Sequence, residues 1–222
     1  MVKHFDNIGR PDVAVLCLAC WHCLFRVQSE ALPLEVGQPA DATSLPPGRH
    51  SGAWVFGDEV FIRLRRRKHR PRGSLLRRKC TCTKTAQQFC VVCRMRVFTS
   101  GFPAGMRIWD IKANAFLKLI RSCLSLLGLA KAERVTLKTF RSSRAFDLVK
   151  RGKPLQAILA AGEWVGSAML NYVKLQQINE GVFLAQTLDA SDAEGSGDEA
   201  SAEISGLHPV FHLYPSFFPL IV

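Results

Sequence analysis

Four residues in the second half of the chain have the side chains and spacing that chemistry on an anionic substrate requires. Lys138 and Arg141 stand three apart, Trp164 follows 23 residues after Arg141, and Tyr172 lies 8 beyond Trp164. A guanidinium presents a planar fork of donors that fits two oxygens of a phosphate. An indole N–H adds one more donor, and a phenol can attack to form a covalent intermediate. Free tyrosine has a pKa of about 10, so such a phenol needs a site that takes up the charge as it develops. Upstream, Arg65, Arg66, Arg67, Lys68, His69, Arg70 and Arg72 form a basic run that reads as a DNA-binding or nuclear-localisation patch. Directly after it, Cys80-Thr81-Cys82 and Cys90-Val91-Val92-Cys93 place four thiols within 14 residues. Four thiolates can close a tetrahedral, structural zinc site that staples a short polar loop, and four free cysteines in an insertion are the alternative.

Several elements must position these groups. A helix over 142–151 ends at Gly152; Pro154, at a first helical position, opens another that runs to Ala161 and stops at Gly162. Ser167 caps a third, with Tyr172 about one turn inside it, and Thr136 can cap the helix that presents Lys138 and Arg141. Earlier, 11–25 has the pattern of a buried helix and leads into Arg26 and Glu30, four apart, a spacing that alone reads as an ion pair on a helix face. A short strand at 34–36 precedes a loop, 60–64 alternates as a strand, the basic run turns the chain, and 74–79 returns as a second strand. After a loop at 98–105, the stretch 111–127 reads as an amphipathic helix ended by Gly128. Its apolar face is Ile111, Ala115, Leu119, Ile120, Cys123, Leu126 and Leu127, with Lys112, Lys118 and Arg121 elsewhere. A short basic link at 131–134 follows.

The stretch 136–172 resembles the catalytic C-terminus of the tyrosine recombinases, the phage-integrase-like enzymes. Their pattern there is His/Lys-x-x-Arg, an apolar helix pair, Gly-x-His/Trp and the nucleophilic Tyr; Gly162-Glu163-Trp164 is similar to the Gly-x-Trp form of eukaryotic mobile elements. The resemblance spans 11–175 and is specific over its last 37 residues. It implies an α+β, mainly helical catalytic domain with a small antiparallel sheet or hairpin. DNA is the implied partner, with self-association on DNA, and the implied reaction is strand cleavage and rejoining through a 3′-phosphotyrosine. No cofactor is implied for the chemistry.

Residue by residue, the resemblance implies that Arg26 is the first phosphate-binding arginine and Glu30 orients it, although the family often has the two three apart. Arg141 is the second arginine, and Trp164 donates its indole N–H to the same phosphate. Lys68, on the hairpin, protonates the departing 5′ oxygen, with Lys79 as a competitor. Lys138, where many members carry histidine, acts as base or electrostatic stabiliser, and Tyr172 is the nucleophile. The family also has an N-terminal helical domain that completes a clamp round DNA, for which the 10 residues before Pro11 are too few.

Composition sets the frame for such a site. The 222 residues are 48% hydrophobic, enough for one domain with a real core and a tail. All 30 Lys and Arg lie at or before Lys174 with 11 of the 18 acidic residues, so that body carries +19, a charge suited to a polyanion. The expected organisation is an N-terminal stub at 1–10, a catalytic domain at 11–180 with a Cys-rich insert at 80–98, an acidic disordered linker at 181–207 and an aromatic tail at 208–222. Cys17, Cys20 and Cys23 repeat at helical spacing in an apolar run, as buried free thiols do. Asp6 and Asp12 interrupt the basic start that a signal peptide needs, and no apolar run reaches the roughly 18–20 residues of a membrane span. The expected location is intracellular and nuclear, with no membrane partner. Two other readings fit the same residues: a noncatalytic DNA-binding remnant of a mobile element, or a zinc-stapled interaction protein.

Overall fold

The computed structural model describes residues 1–39, 50–67, 70, 72–83 and 86–164. Lys68, Tyr172, the cap expected at Ser167 and the segments 181–207 and 208–222 lie outside the described residues. The chain divides into two compact units, one holding residues 1–144 and the other starting at Ala145. Among the described residues it is an α+β protein, about half helical, with one small mixed four-stranded sheet.

The first unit is built on helix α2 (Pro11–Cys23). No Asp, Glu, Lys or Arg falls between Asp12 and Arg26, so the helix is apolar on every side and must be enclosed. Each residue from Val13 to Cys20 is buried. Pro11 occupies the first turn, where its missing N–H costs no hydrogen bond. Burial pushes the Cys17 and Cys20 thiols well up, so they stay neutral and act as packing groups. Helix α1 (Val2–Asn7) packs on α2 through buried Val2 and Phe5, so the expected N-terminal stub is part of this unit's core.

Strands β1 (Glu35–Val36), β2 (Gly52–Phe56), β3 (Glu59–Leu64) and β4 (Ser74–Lys79) lie side by side in that order. β2–β3 and β3–β4 are antiparallel, whereas β1–β2 is parallel, which makes the sheet mixed and not the antiparallel one expected. Fifteen residues separate Val36 from Gly52, enough for the chain to re-enter beside β1 in the same direction. Trp54, Phe61 and Arg77 are direct partners across β2, β3 and β4. The two rings stack at 5.6 Å and the guanidinium lies 5.1 Å from the Phe61 ring.

Helix α3 (Val91–Phe98) falls inside the expected insert and packs on α2 through buried Val91, Val92 and Met95. An Arg94–Asp6 ion pair ties it to α1. Helix α4 (Ala113–Leu126) buries Phe116, Ile120, Cys123 and Leu124. That face is rotated from the one expected: Ala115 and Leu127 are exposed, and Leu126 is 74% exposed. The bulkiest side chain decides the rotation, because Phe116 stacks on Phe140 at 5.8 Å. Helix α5 (Thr139–Lys150) starts three residues earlier than expected, with the Thr139 hydroxyl accepting from the Thr136 N–H at 3.1 Å. Gly152 follows its end at φ +63°. Within the second unit, α6 (Leu155–Gly162) begins after Pro154, which stands just outside the helix.

The β3–β4 hairpin closes on Gly73, whose φ is +75°. A Cβ there would lie 2.2 Å from the Leu64 carbonyl oxygen, so neither the torsion nor the space admits another residue. Gly73→Ala is therefore expected to lower the urea-unfolding free energy by about 2 kcal/mol or more. An unchanged midpoint would show that the hairpin closes differently.

Candidate functional site

Among the described residues Glu30 is the only buried acidic side chain, at 2% exposure, and guanidiniums from three parts of the chain meet at it. Arg26 reaches it from four residues away: its backbone N–H donates to Oε2 at 2.9 Å and its Nη1 to Oε1 at 2.8 Å. The link between them is a π turn, Val27–Ala31, in which the Ala31 and Leu32 N–H groups donate to the carbonyls of Arg26 and Val27. A π turn holds one residue more than an α turn. The Glu30 N–H also donates to the Arg26 carbonyl at 2.8 Å, so the four-residue gap leaves the carboxylate on the same flank as the arginine.

Arg67 approaches from the basic hairpin, with Nε 3.2 Å from Oε1 and Nη2 3.4 Å from Oε2. Arg141, in the first turns of α5, brings Nη1 to 3.5 Å from Oε2. Both also hold the Leu24 carbonyl, Arg141 Nη1 at 2.9 Å and Arg67 Nη2 at 3.4 Å. Leu24 closes α2 in the left-handed region, φ 53° and ψ 41°, although it is not glycine. Such a backbone costs about 1 kcal/mol or more for a branched side chain. It turns the carbonyl away from the helix axis and into the arginines.

These four side chains carry a net charge of +2, because an arginine keeps its proton in a protein. The Arg67 and Arg141 side chains are 1% and 2% exposed, while that of Arg26 is 31% exposed and faces solvent. A buried excess of positive charge with one guanidinium at the surface attracts an anion. Of the other described arginines in the basic run, Arg65, Arg66, Arg70 and Arg72 are exposed. Arg67, read from the sequence as one of the DNA-binding arginines, differs from them: its backbone pairs with Arg70 while its side chain turns inward.

Lys138 is exposed, and its carbonyl accepts the N–H groups of Arg141 and Ser142, so it stands at the mouth of α5. In the second unit Trp164 is buried, and its backbone N–H donates to the Leu159 carbonyl at 3.0 Å. The left-handed residue that ends α6 is Glu163, φ 49°, and not Gly162. Gly162 answers to sterics: a Cβ on it would sit 2.0–2.5 Å from carbons of the Trp164 ring. The Gly-x-Trp sequence is thus a packing unit in which the ring lies on bare backbone.

The four thiols Cys80, Cys82, Cys90 and Cys93 form a separate cluster, with all sulfurs within 4.8 Å of one another. Cys82–Cys93, Cys90–Cys80 and Cys80–Cys93 stand at 3.3, 3.6 and 3.7 Å. Zinc–thiolate bonds of about 2.3 Å place sulfurs about 3.8 Å apart in a tetrahedron. Burial raises the Cys90 thiol, yet the N–H groups of Cys93 and Thr81 outweigh it and bring the pKa down to about 6. Cys80 follows β4 directly and Cys90 caps α3, so a shared ion would join strand to helix.

No protein-family model, curated protein or solved structure matches the chain. No helix among the described residues is long and apolar enough to cross a membrane.

The sequence pairs Arg26 with Glu30 and names Arg141, but nothing in it singles out Arg67 from its basic neighbours or the Leu24 carbonyl. Glu30→Gln removes the one carboxylate among three guanidiniums and is expected to cost about 3 kcal/mol in urea unfolding. A loss under 1 kcal/mol would mean that the carboxylate does not hold the centre together.

Proposed function

We propose that the chain is a DNA-binding protein of tyrosine-recombinase type that breaks and rejoins DNA strands, with a catalytic-core-like helical domain. The observation that supports this most is the meeting of Arg26 and Arg141, 115 residues apart in sequence, at Glu30. The resemblance names those two arginines for one phosphate. In this reading the Arg26 fork takes nonbridging oxygens of the scissile phosphodiester, and Glu30 fixes its direction. Arg141 supplies the field behind it. The Tyr172 Oη attacks phosphorus, the bond to the 5′ oxygen breaks, and a 3′-phosphotyrosine forms. Lys68 gives its proton to the 5′ oxygen, and Lys138 either takes the phenol proton as base or stabilises the developing charge while water takes that proton. Rejoining is the same path reversed: the 5′ hydroxyl attacks and releases the tyrosine. Trp164 belongs to the same set by the resemblance. The exposed Arg65, Arg66, Arg70 and Arg72 bind the duplex backbone, and a nuclear location follows from that partner.

A nicked suicide substrate tests the reading. A denaturant-resistant protein–DNA band is expected from the wild type and is lost in Tyr172→Phe and in Arg141→Ala, the latter by roughly a hundredfold to a thousandfold in rate. DNA binding that survives Tyr172→Phe, with no adduct from the wild type, would instead fit a noncatalytic remnant.

The cysteine cluster supports a structural zinc, held by Cys80, Cys82, Cys90 and Cys93. Protein expressed with zinc is expected to carry one ion per chain by elemental analysis, and Cys90→Ser to lose it. Chelation should speed amide exchange over 79–98 while α4 stays protected. Metal-free protein with full protection there would sink the zinc assignment, and DNA binding that tracks zinc alone would favour the interaction-protein reading.

A further inference from the structure

We propose that Arg67 is a positioning residue that anchors the β3–β4 hairpin to the Glu30 centre and so aims the basic face at DNA, an inference that rests on the DNA-binding reading above. Arg67 lies in a run whose other described arginines, Arg65, Arg66, Arg70 and Arg72, are all exposed. Its own side chain is 1% exposed, and its guanidinium spans both oxygens of Glu30 and the Leu24 carbonyl, partners 37 and 43 residues away. A phosphate ligand would keep its fork toward solvent; this fork is used up on the protein's own acceptors. Meanwhile the Arg67 backbone exchanges hydrogen bonds with Arg70, N–H to carbonyl at 2.8 and 3.4 Å, inside the turn that Gly73 closes. One side chain therefore fixes the hairpin's turn, and through it the direction of four exposed guanidiniums, to the carboxylate that also orients Arg26.

The arrangement makes Glu30 a shared reference point. Where Arg26 points and where the hairpin points are set by the same two oxygens, so the cleaving centre and the backbone-gripping face keep one register. Lysine in place of Arg67 keeps the charge but has a single donor centre that cannot span both oxygens and the carbonyl.

The test compares Arg67→Met, Arg67→Lys and Arg66→Met in the full chain, using hydrogen exchange and the salt dependence of binding to a short DNA duplex. For Arg67→Met, amide exchange in β3 and β4 is expected to speed up tenfold or more while α4 keeps its protection. The slope of log affinity against log salt should fall by clearly more than one phosphate contact, since the whole basic face is released. Arg66→Met should lose about one contact and leave exchange unchanged. Arg67→Lys should fall between the two, and it serves in place of Arg67→Met should that variant not fold. Hairpin exchange like the wild type in Arg67→Met or Arg67→Lys overturns the proposal, as does a slope change equal to that of Arg66→Met. A wild-type protein that binds no DNA overturns the underlying reading, whereas the exchange result alone decides the anchor.

Discussion

A carboxylate enclosed in protein is the constraint on which the first unit depends. Glu30 has lost its water, and removing a charge from water costs several kcal/mol unless protein groups replace the hydration. Guanidiniums from the π turn, the hairpin and α5 do so, and the chain must close loops of tens of residues to bring them there. Such a centre adds little net stability relative to a packed apolar one. What it does add is register, because the Arg67 guanidinium has one geometry in which it reaches both oxygens.

The surrounding backbone bends to the same end. Leu24 takes a left-handed conformation that leucine avoids, and its reward is a carbonyl aimed at Arg67 and Arg141. The hairpin is held near its turn by Arg67, and past its far strand the chain enters the thiol cluster that begins at Cys80. Between those points run β3 and β4, with Arg77 lying on the Phe61 ring and Arg78 donating to the His22 carbonyl at 2.9 Å. Arg78 thus ties β4 to the last turn of α2, and Arg67 ties the hairpin turn to the Leu24 carbonyl that closes it.

Much of this frame is legible in the amino-acid order. The apolar run after Pro11 specifies a buried helix, alternation marks β3, and β4 spans the residues read for it, because period and punctuation agree there. β2 is hidden, since Gly52-Ala53-Trp54-Val55-Phe56 follows a stretch rich in Gly, Pro and Ser and gains its pairing only from β3. α3 is hidden by its own cysteines and arginines, which look like a loop until Val91, Val92 and Met95 meet α2. In the site, the Arg26–Glu30 pairing is local and readable. That Arg67 turns inward is not, because a run of cations reads as a solvated face and only the distant carboxylate distinguishes one member.

The π turn bears on how a pairing is read from the chain. Gaps of three and of four residues differ by about 100° around a helix axis, and both leave two side chains on one flank. Glu30 therefore returns to Arg26 at a gap of four, and the widened turn then carries the chain on to Leu32. Spacing along the chain is thus a looser quantity than spacing in the folded molecule, and a search for an arginine and a carboxylate on one flank has to admit either gap.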